Sequence, residues 1–368
     1  MQLVDVVVIG GGVTGRSCAY HLERLGYNTK ILTSSQVIET NPNLLIAASG
    51  TSDLITRPAE ARGKAQALEL WDYSVQALRY LCQFLDDSHI DYVAGSRLRL
   101  GYDSAEVNEL KIAQSLLSHR SQTVQSPFLL THSIRHAEPS LVFRKEDIYK
   151  YLKQDTECFA VTQVTEKTGM VELKNDANET LEAEVVIIAA HLSSAFLAGL
   201  SSDILVSYSD QWNDFVIKPD KQSALLQPGD FISWRHGYHS AQVLEKRLLR
   251  LSGGRYLRKQ AGIGETTAKL EPKISEHLKK EAEKILGIEL LDEKEAGARS
   301  GCQPCDEQPL IGPVPGKSRL LMATGFGGLG VAQGFFAGKC IAEIVQAGRS
   351  SDLPRFYWPE RLRSLPSE

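Results

Sequence analysis

Val4-Asp5-Val6-Val7-Val8-Ile9-Gly10-Gly11-Gly12-Val13-Thr14-Gly15 is the stretch that decides the fold class. Its first six residues form a nearly continuous β-branched run, the pattern of a strand buried on both faces in a parallel sheet. Apolar residues then recur at Ala19, Leu22 and Leu25, a helical spacing closed by Gly26. Thr29-Lys30-Ile31-Leu32 reads as a second strand, so the chain opens with a βαβ unit. Gly10-x-Gly12-x-x-Gly15 lies between strand and helix, the context that a dinucleotide fingerprint requires. Gly10 permits the tight turn, Gly12 lets the backbone approach a pyrophosphate, and Gly15 lets helix and strand pack closely. The acidic residue expected about 20 residues later, for the ribose hydroxyls, is absent. Thr33, Ser34 and Ser35 stand there, and the nearest carboxylates are Glu23 and Glu39.

Outward from this unit, helical and strand patterns alternate. Residues 59–86 read as one or two helices, 91–101 as a strand and 145–154 as a helix. Strands follow near 160–165, 169–173 and 184–190. Residues 205–260 are strand-rich, with a turn at 227–230. A charged amphipathic helix covers 276–286, and a final helix runs from 330 to about 346. The polar, proline-containing tail from Gly348 is expected on the surface.

A chain of 368 residues can bury a sizeable core without disulfides or a structural metal. With 42% hydrophobic and 23% charged residues it is neither disordered nor collagen-like. A net charge of −4 excludes an overall basic nucleic-acid binder. No apolar run approaches the roughly 20 residues needed to cross a bilayer, and no leader pattern is visible, so the cytoplasm is the expected compartment. The cysteines at 18, 82, 158, 302, 305 and 340 do not form a secreted framework. The lone Cys302-Gln303-Pro304-Cys305 pair is weak evidence for a metal, and none is expected.

The C-terminal quarter carries Gly301-Cys302-Gln303-Pro304-Cys305-Asp306-Glu307-Gln308-Pro309-Leu310-Ile311-Gly312-Pro313, followed by Leu320 through Gly330 with its Gly325-Phe326-Gly327-Gly328-Leu329-Gly330 loop. With the N-terminal fingerprint, Ala48-Ser49-Gly50, Ala189-Ala190 and Leu251-Ser252-Gly253-Gly254-Arg255, this resembles the FAD-dependent amine and amino-acid oxidoreductases of the D-amino-acid oxidase, glycine oxidase and sarcosine oxidase type. The resemblance implies an α/β fold: a Rossmann-type FAD-binding domain with an inserted α+β substrate domain containing a mixed sheet. The FAD domain would take residues 1–85, 140–203 and 296–346, the substrate domain 86–139 and 204–295, and a tail 347–368. It also implies cofactor contacts from Gly10, Gly12, Val13, Thr14 and Gly15, from Thr33 and Ser34, and from Ser49 and Ala190. Gly325, Gly327, Gly328, Leu329 and Gly330 complete the set. Backbone N–H groups of Gly328, Leu329 and Gly330, at a helix start, suit the negative charge of a reduced flavin.

The implied reaction is oxidation of a C–N bond by hydride transfer to flavin N5, on a small-molecule amine or amino acid, which demands positioning more than a catalytic base. The arginine often found in a Gly-x-Arg-Pro turn for a substrate carboxylate is Gln303 here. Arg299 and Arg57 lie near in sequence as substitutes. Tyr238, in Trp234-Arg235-His236-Gly237-Tyr238-His239, is the first choice for lining the pocket, with His236 and His239 behind it. Lys246, Arg247, Arg250, Arg255, Arg258 and Lys259 read as a solvated hairpin face or, alternatively, a phosphate-binding patch. The patch matters because Ala48-Ser49-Gly50 followed by Leu54-Ile55-Thr56-Arg57-Pro58, and the stretch Glu295 to Gly301, also resemble the oxidase half of the bifunctional enzyme that completes a modified wobble uridine in tRNA. A non-catalytic flavin-binding scaffold is a further alternative. Some members of the resembled family attach FAD through a cysteine near residues 301–306, close to Cys302 and Cys305. The sequence leaves open whether oxygen, a quinone or a protein accepts the electrons.

Overall fold

In the computed structural model, residues 4–34, 43–51, 53–130, 132–152 and 155–364 are described. Ser35 and Glu39 lie outside these residues. The opening run forms strand β1 (Val4–Ile9), followed by helix α1 (Val13–Arg24) and strand β2 (Thr29–Thr33). β1 pairs in parallel with β2 on one side and with the strand Thr180–Ile188 on the other. Leu320–Thr324 extends this parallel sheet beyond Thr180–Ile188, and Thr156–Cys158 extends it beyond β2. An antiparallel meander, Val161–Lys167 and Met170–Asn175, completes an eight-stranded sheet together with Leu310–Pro313. Val6, Val7, Val8, Ile187 and Ile188 are buried, as a strand covered on both faces requires.

A second eight-stranded sheet is mixed. Its spine is the pairing of Leu205–Ile217 with Leu290–Pro304, followed by Leu248–Gly253, His239–Glu245, Phe231–Trp234 and Arg97–Leu100. Its outer face carries Ile232, Trp234, Ala241, Leu249 and Leu251 and packs on the helix Pro272–Leu286. Its inner face carries Asp214, Arg250, Gln242, Phe231 and Arg97 in cross-strand register. That face turns toward residues 44–50, since Arg250 Nη1 donates to Leu44 O at 3.3 Å. A three-stranded sheet of Leu44–Ala48, Ser140–Arg144 and Tyr92–Gly95 lies between the two large sheets in the chain's path.

Two expectations need correction. Residues 91–101 are not one strand: Tyr92–Gly95 joins the three-stranded sheet and Arg97–Leu100 the mixed sheet. Gly95 makes this break possible, because a Cβ there would lie 2.1 Å from Gly229 C. The tail is not a surface appendage either. Leu353 and Tyr357 are buried, and the Tyr357 ring packs 4.6 Å from that of Tyr73. Arg361 then closes on Asp306, with Nε donating to Oδ2 at 2.7 Å and Nη2 to Oδ1 at 3.0 Å and to Gln308 O at 2.6 Å. Burial alone would raise the Asp306 carboxyl, but the Arg361 guanidinium outweighs it and holds the group below its ordinary range. Arg361→Leu is expected to cost about 2 kcal/mol, the scale of losing charge-assisted hydrogen bonds in a partly buried site. Urea denaturation at neutral pH measures it, and an unchanged midpoint would show the tail to be energetically idle.

Among the described residues one helix, Gly327–Ala347, is long and apolar enough to cross a membrane by composition. Its residues Phe335, Phe336, Ala337, Cys340 and Ile341 are core residues packed around β1 and α1, which accounts for that composition.

Candidate cofactor and substrate site

The turn after β1 is built by contact. Gly10 N donates to Leu32 O at 2.9 Å, and a Cβ on Gly10 would lie 2.2 Å from Ala189 O. A Cβ on Gly15 would lie 1.9 Å from Gly10 O, so strand end and helix start touch through backbone alone. Gly12 differs: no atom lies within 4 Å of where its Cβ would be, and its φ of −74° is ordinary. The open space lies where a pyrophosphate approaches in this motif. α1 has no side-chain cap and no acid in its first turn, leaving its free N–H groups and positive end unopposed. Arg16 adds a cation beside the turn, its Nε donating to Gly11 O at 2.9 Å. It was invisible to motif reading because the fingerprint leaves that position undefined.

The helix Gly330–Ala347 lies against α1, and glycines set the distance. A Cβ on Gly334 would be 2.3 Å from Thr14 Oγ1, and one on Gly338 2.4 Å from Ser17 Oγ. The same order of contacts along both chains makes the helices parallel, so both N-termini open on one side. This second helix also lacks a side-chain cap and an acid in its first turn. Gln333 ties it to the Ser49–Gly50 segment, donating to Gly50 O at 3.4 Å. Ala190 N donates to Ser194 Oγ at 3.0 Å, and Thr324 Oγ1 to His191 O at 3.1 Å. Thr33 packs its methyl against Gly11, 2.7 Å from where a Cβ would stand. Two converging uncapped helix starts, an open Gly12 and the Arg16 cation together fit a dinucleotide with a flavin at its far end.

The mixed sheet meets this region where Pro304 packs on Gly325. Gln303 is on the same strand, in register with Val206, and Gly301 lies against the Tyr208 ring. Tyr238 occupies the turn after Trp234, a turn with left-handed backbone at Arg235 (φ 56°) and His236 (φ 54°). Side chains hold it there: Arg235 pairs with Glu281 at 3.3 Å, and His236 Nδ1 with Glu109 at 3.0 Å. Arg255 lies between two tyrosines, 5.1 Å from the Tyr208 ring centre and 5.4 Å from that of Tyr238. Tyr208 and Arg255 were missed as site residues; the Gly253-Gly254-Arg255 run was the available signal.

Arg299 and Arg57 are both engaged by acids. Arg299 pairs with Asp210 at 3.2 Å, and Arg57 with Glu307 and Asp53 in an exposed cluster. His239 points the other way, toward the outer helix, where its ring stacks on Tyr256 and its Nδ1 is 3.2 Å from Glu281. The 246–259 run is neither a solvated face nor one patch. Arg250 is buried and bidentate to Asp214, while Arg258 is buried against Glu271 and Gln211 on the opposite side of the sheet. The phosphate-patch reading loses two of its six charges that way. Cys302 and Cys305 are unpaired, and burial pushes the Cys302 thiol up to about 11, so it is a poor nucleophile at neutral pH.

Two buried histidines and the half-buried His21 are held neutral. Burial first, with neighbouring cations, lowers His21 and His239 to about 4 and His136 well below its ordinary value. Each is harder to protonate folded than unfolded, so stability is complete above pH 6.5 and is lost as pH falls from there toward 4. The expected slope is at most about 1.4 kcal/mol per pH unit per histidine. Denaturation midpoints at pH 7.5 and 5.0 check this; a flat profile in that window would contradict it.

Comparison with known proteins agrees with this geometry. The family described as DAO, FAD dependent oxidoreductase, matches residues 5–344. A glycine oxidase from Bacillus licheniformis is 25% identical over 370 residues, covering 93% of this chain and 92% of that protein. The fold is similar to that of glycine oxidase from Geobacillus kaustophilus, with a TM-score of 0.74 at 15% identity over 97% of this chain and 98% of that one. Iminodiacetate oxidase from Chelativorans sp. BNC1 gives 0.72 at 15% identity over 96% and 98%.

Proposed function

The chain belongs to the DAO family of FAD-dependent oxidoreductases, and from that premise we propose that it oxidises the C–N bond of a small amine or amino acid. The observation that carries the reading is the pair of parallel, uncapped helix starts, α1 and Gly330–Ala347, opening beside the polar inner face of the mixed sheet. Bound FAD supplies the two-electron acceptor for the C–H bond next to the substrate nitrogen. Gly10, Gly12, Val13, Thr14 and Gly15 take the pyrophosphate, with Arg16 adding charge. Thr33 and Ser34 offer hydroxyls to the ribose, and Ser49 and Ala190 border the ring system. Gly325 and Gly327 shape the last turn, and the N–H groups of Gly328, Leu329 and Gly330 donate to the electron-rich edge of the ring.

Tyr238 and Tyr208 line the substrate space, and Arg255 fixes both rings by cation–π contact. Burial raises the Tyr208 phenol, so it is a donor and not a base at neutral pH. Gln303 offers amide hydrogen bonds without charge. Arg57 and Arg299 remain rim groups, each already neutralised by a carboxylate. We assign residues 1–85, 140–203 and 296–346 to the FAD part and 86–139 and 204–295 to the substrate part; Leu290–Pro304 crosses this boundary, and Tyr92–Gly95 pairs with Ser140–Arg144 across it. Six unpaired cysteines support a reducing, cytoplasmic setting.

The test is an anaerobic visible spectrum of the purified protein with glycine, sarcosine, proline and D-amino acids. Bleaching of the oxidised-flavin bands by one compound class is the expected result. A flavin spectrum unmoved by every one of them would overturn the small-substrate reading.

A further inference from the structure

The strand Arg97–Leu100 places Arg97 on the inner face of the mixed sheet, in register with Phe231, then Gln242, then Arg250. Residues paired directly across strands share a face, so Arg97 looks at the Ser49–Gly50 segment as Arg250 looks at Leu44. Gly50 confirms the closeness: a Cβ there would lie 3.0 Å from Arg97 Nη1. Arg97 is 4% exposed, yet its Nη1 has no hydrogen-bond partner. The groups around it are unsatisfied in the same way. Ser49 Oγ, Gln242 Oε1 and both ring nitrogens of His136 are buried without partners. His136 stacks flat on Trp71 at 5.0 Å, and the Phe231 ring lies 5.6 Å from the Arg97 guanidinium carbon.

A buried guanidinium without a counter-charge is costly, and so is each orphaned polar atom beside it. Both arginines are lowered by burial, but carboxylates oppose that only at Arg99. Asp53, Glu106 and Glu109 all act on Arg99. Burial and then Arg99 push Arg97 down to about 9, with no carboxylate opposing them, so it is still charged at neutral pH. His136 stays neutral. A buried guanidinium with no carboxylate acting on it therefore lies against the flavin-bordering segment. A singly charged anion matches it; a phosphate dianion over-compensates it.

We propose that Arg97 receives the carboxylate of the substrate. The acid end of the molecule then lies against the strand Arg97–Leu100, with the Ser49 hydroxyl donating to it, and not against Leu290–Pro304, where Gln303 carries no charge. This deepens the function proposed above and rests on it for the nitrogen end of the substrate.

The test is calorimetric titration of the holoenzyme with acetate, glycine and inorganic phosphate, for the unaltered protein, Arg97→Gln, Arg97→Lys and, as a charge-loss control on an exposed turn, Lys246→Gln. Flavin content and circular dichroism are measured on each. Acetate and glycine binding should weaken at least about 30-fold in Arg97→Gln, from loss of a buried charge-assisted pair. Arg97→Lys should recover part of it, lacking only the bidentate fork. Lys246→Gln should bind normally, phosphate should bind none of the proteins, and flavin content should not change. Carboxylate binding that survives Arg97→Gln in a folded holoenzyme would overturn the proposal, as would an unaltered protein that binds no carboxylate. Flavin lost from Arg97→Gln alone would assign the charge to the cofactor and overturn it too. If carboxylates bind through Arg97 but no amine bleaches the flavin, the C–N reading fails while the anion site stands.

Discussion

Gly12→Val is expected to give a folded protein that purifies without flavin. The position has an ordinary backbone conformation and nothing within 4 Å of its missing Cβ, so the fold has no reason to resist a side chain. Valine's methyls would stand in the space a pyrophosphate must enter, in front of the N–H groups at the start of α1. The expected loss of FAD affinity is about 100-fold or more, close to 3 kcal/mol. Gly15→Val is the contrast. Its Cβ would meet Gly10 O at 1.9 Å, so β1 and α1 must separate and the apoprotein itself is destabilised. The ratio of flavin to protein absorbance, with apoprotein melting, distinguishes the two. A Gly12→Val variant that retains full flavin would remove the cradle from the FAD site.

Asp214→Ala is expected to cost about 3–5 kcal/mol, the penalty for leaving a buried guanidinium uncompensated. Both partners are only 4% exposed, and Arg250 makes two bonds of 2.7 Å to Asp214. Arg250 also stacks 4.3 Å over Trp212 and reaches Leu44 O, so the pair joins the mixed sheet to the three-stranded one. Replacing both partners by apolar residues, Asp214→Leu with Arg250→Met, should recover most of the loss. Urea unfolding of the unaltered protein and the two variants measures this. A single variant within 1 kcal/mol of the unaltered protein would show that water reaches the pair.

What could be read from the sequence followed from local rules. The run Val4–Gly15 had one sensible reading, because strand, glycine spacing and helix agree with one another. The loop at Gly325–Gly330 was legible for the same reason. The polar face of the mixed sheet was not. Arg97-Leu98-Arg99-Leu100 alternates as a strand with one wet face, and only the tertiary fold shows that this face is covered. Arg250 and Arg258 looked like surface charges because their partners, Asp214 and Glu271, come from other segments. The tail misled in a similar way: its buried anchors, Leu353 and Tyr357, are too few to form a period.

The lateral support of the first glycine turn comes from late in the chain. Thr14 and Ser17 of α1 fit against Gly334 and Gly338, and the central strand Thr180–Ile188 waits for Leu320–Thr324. During synthesis the nucleotide cradle therefore emerges first and stays half-built for on the order of tens of seconds, until a helix some three hundred residues downstream leaves the ribosome. Its apolar strands are exposed for that whole interval. Heterologous production should then respond more to chaperone supply and slow growth than the folded protein's own stability suggests, and flavin should be captured only after the helix Gly330–Ala347 has emerged.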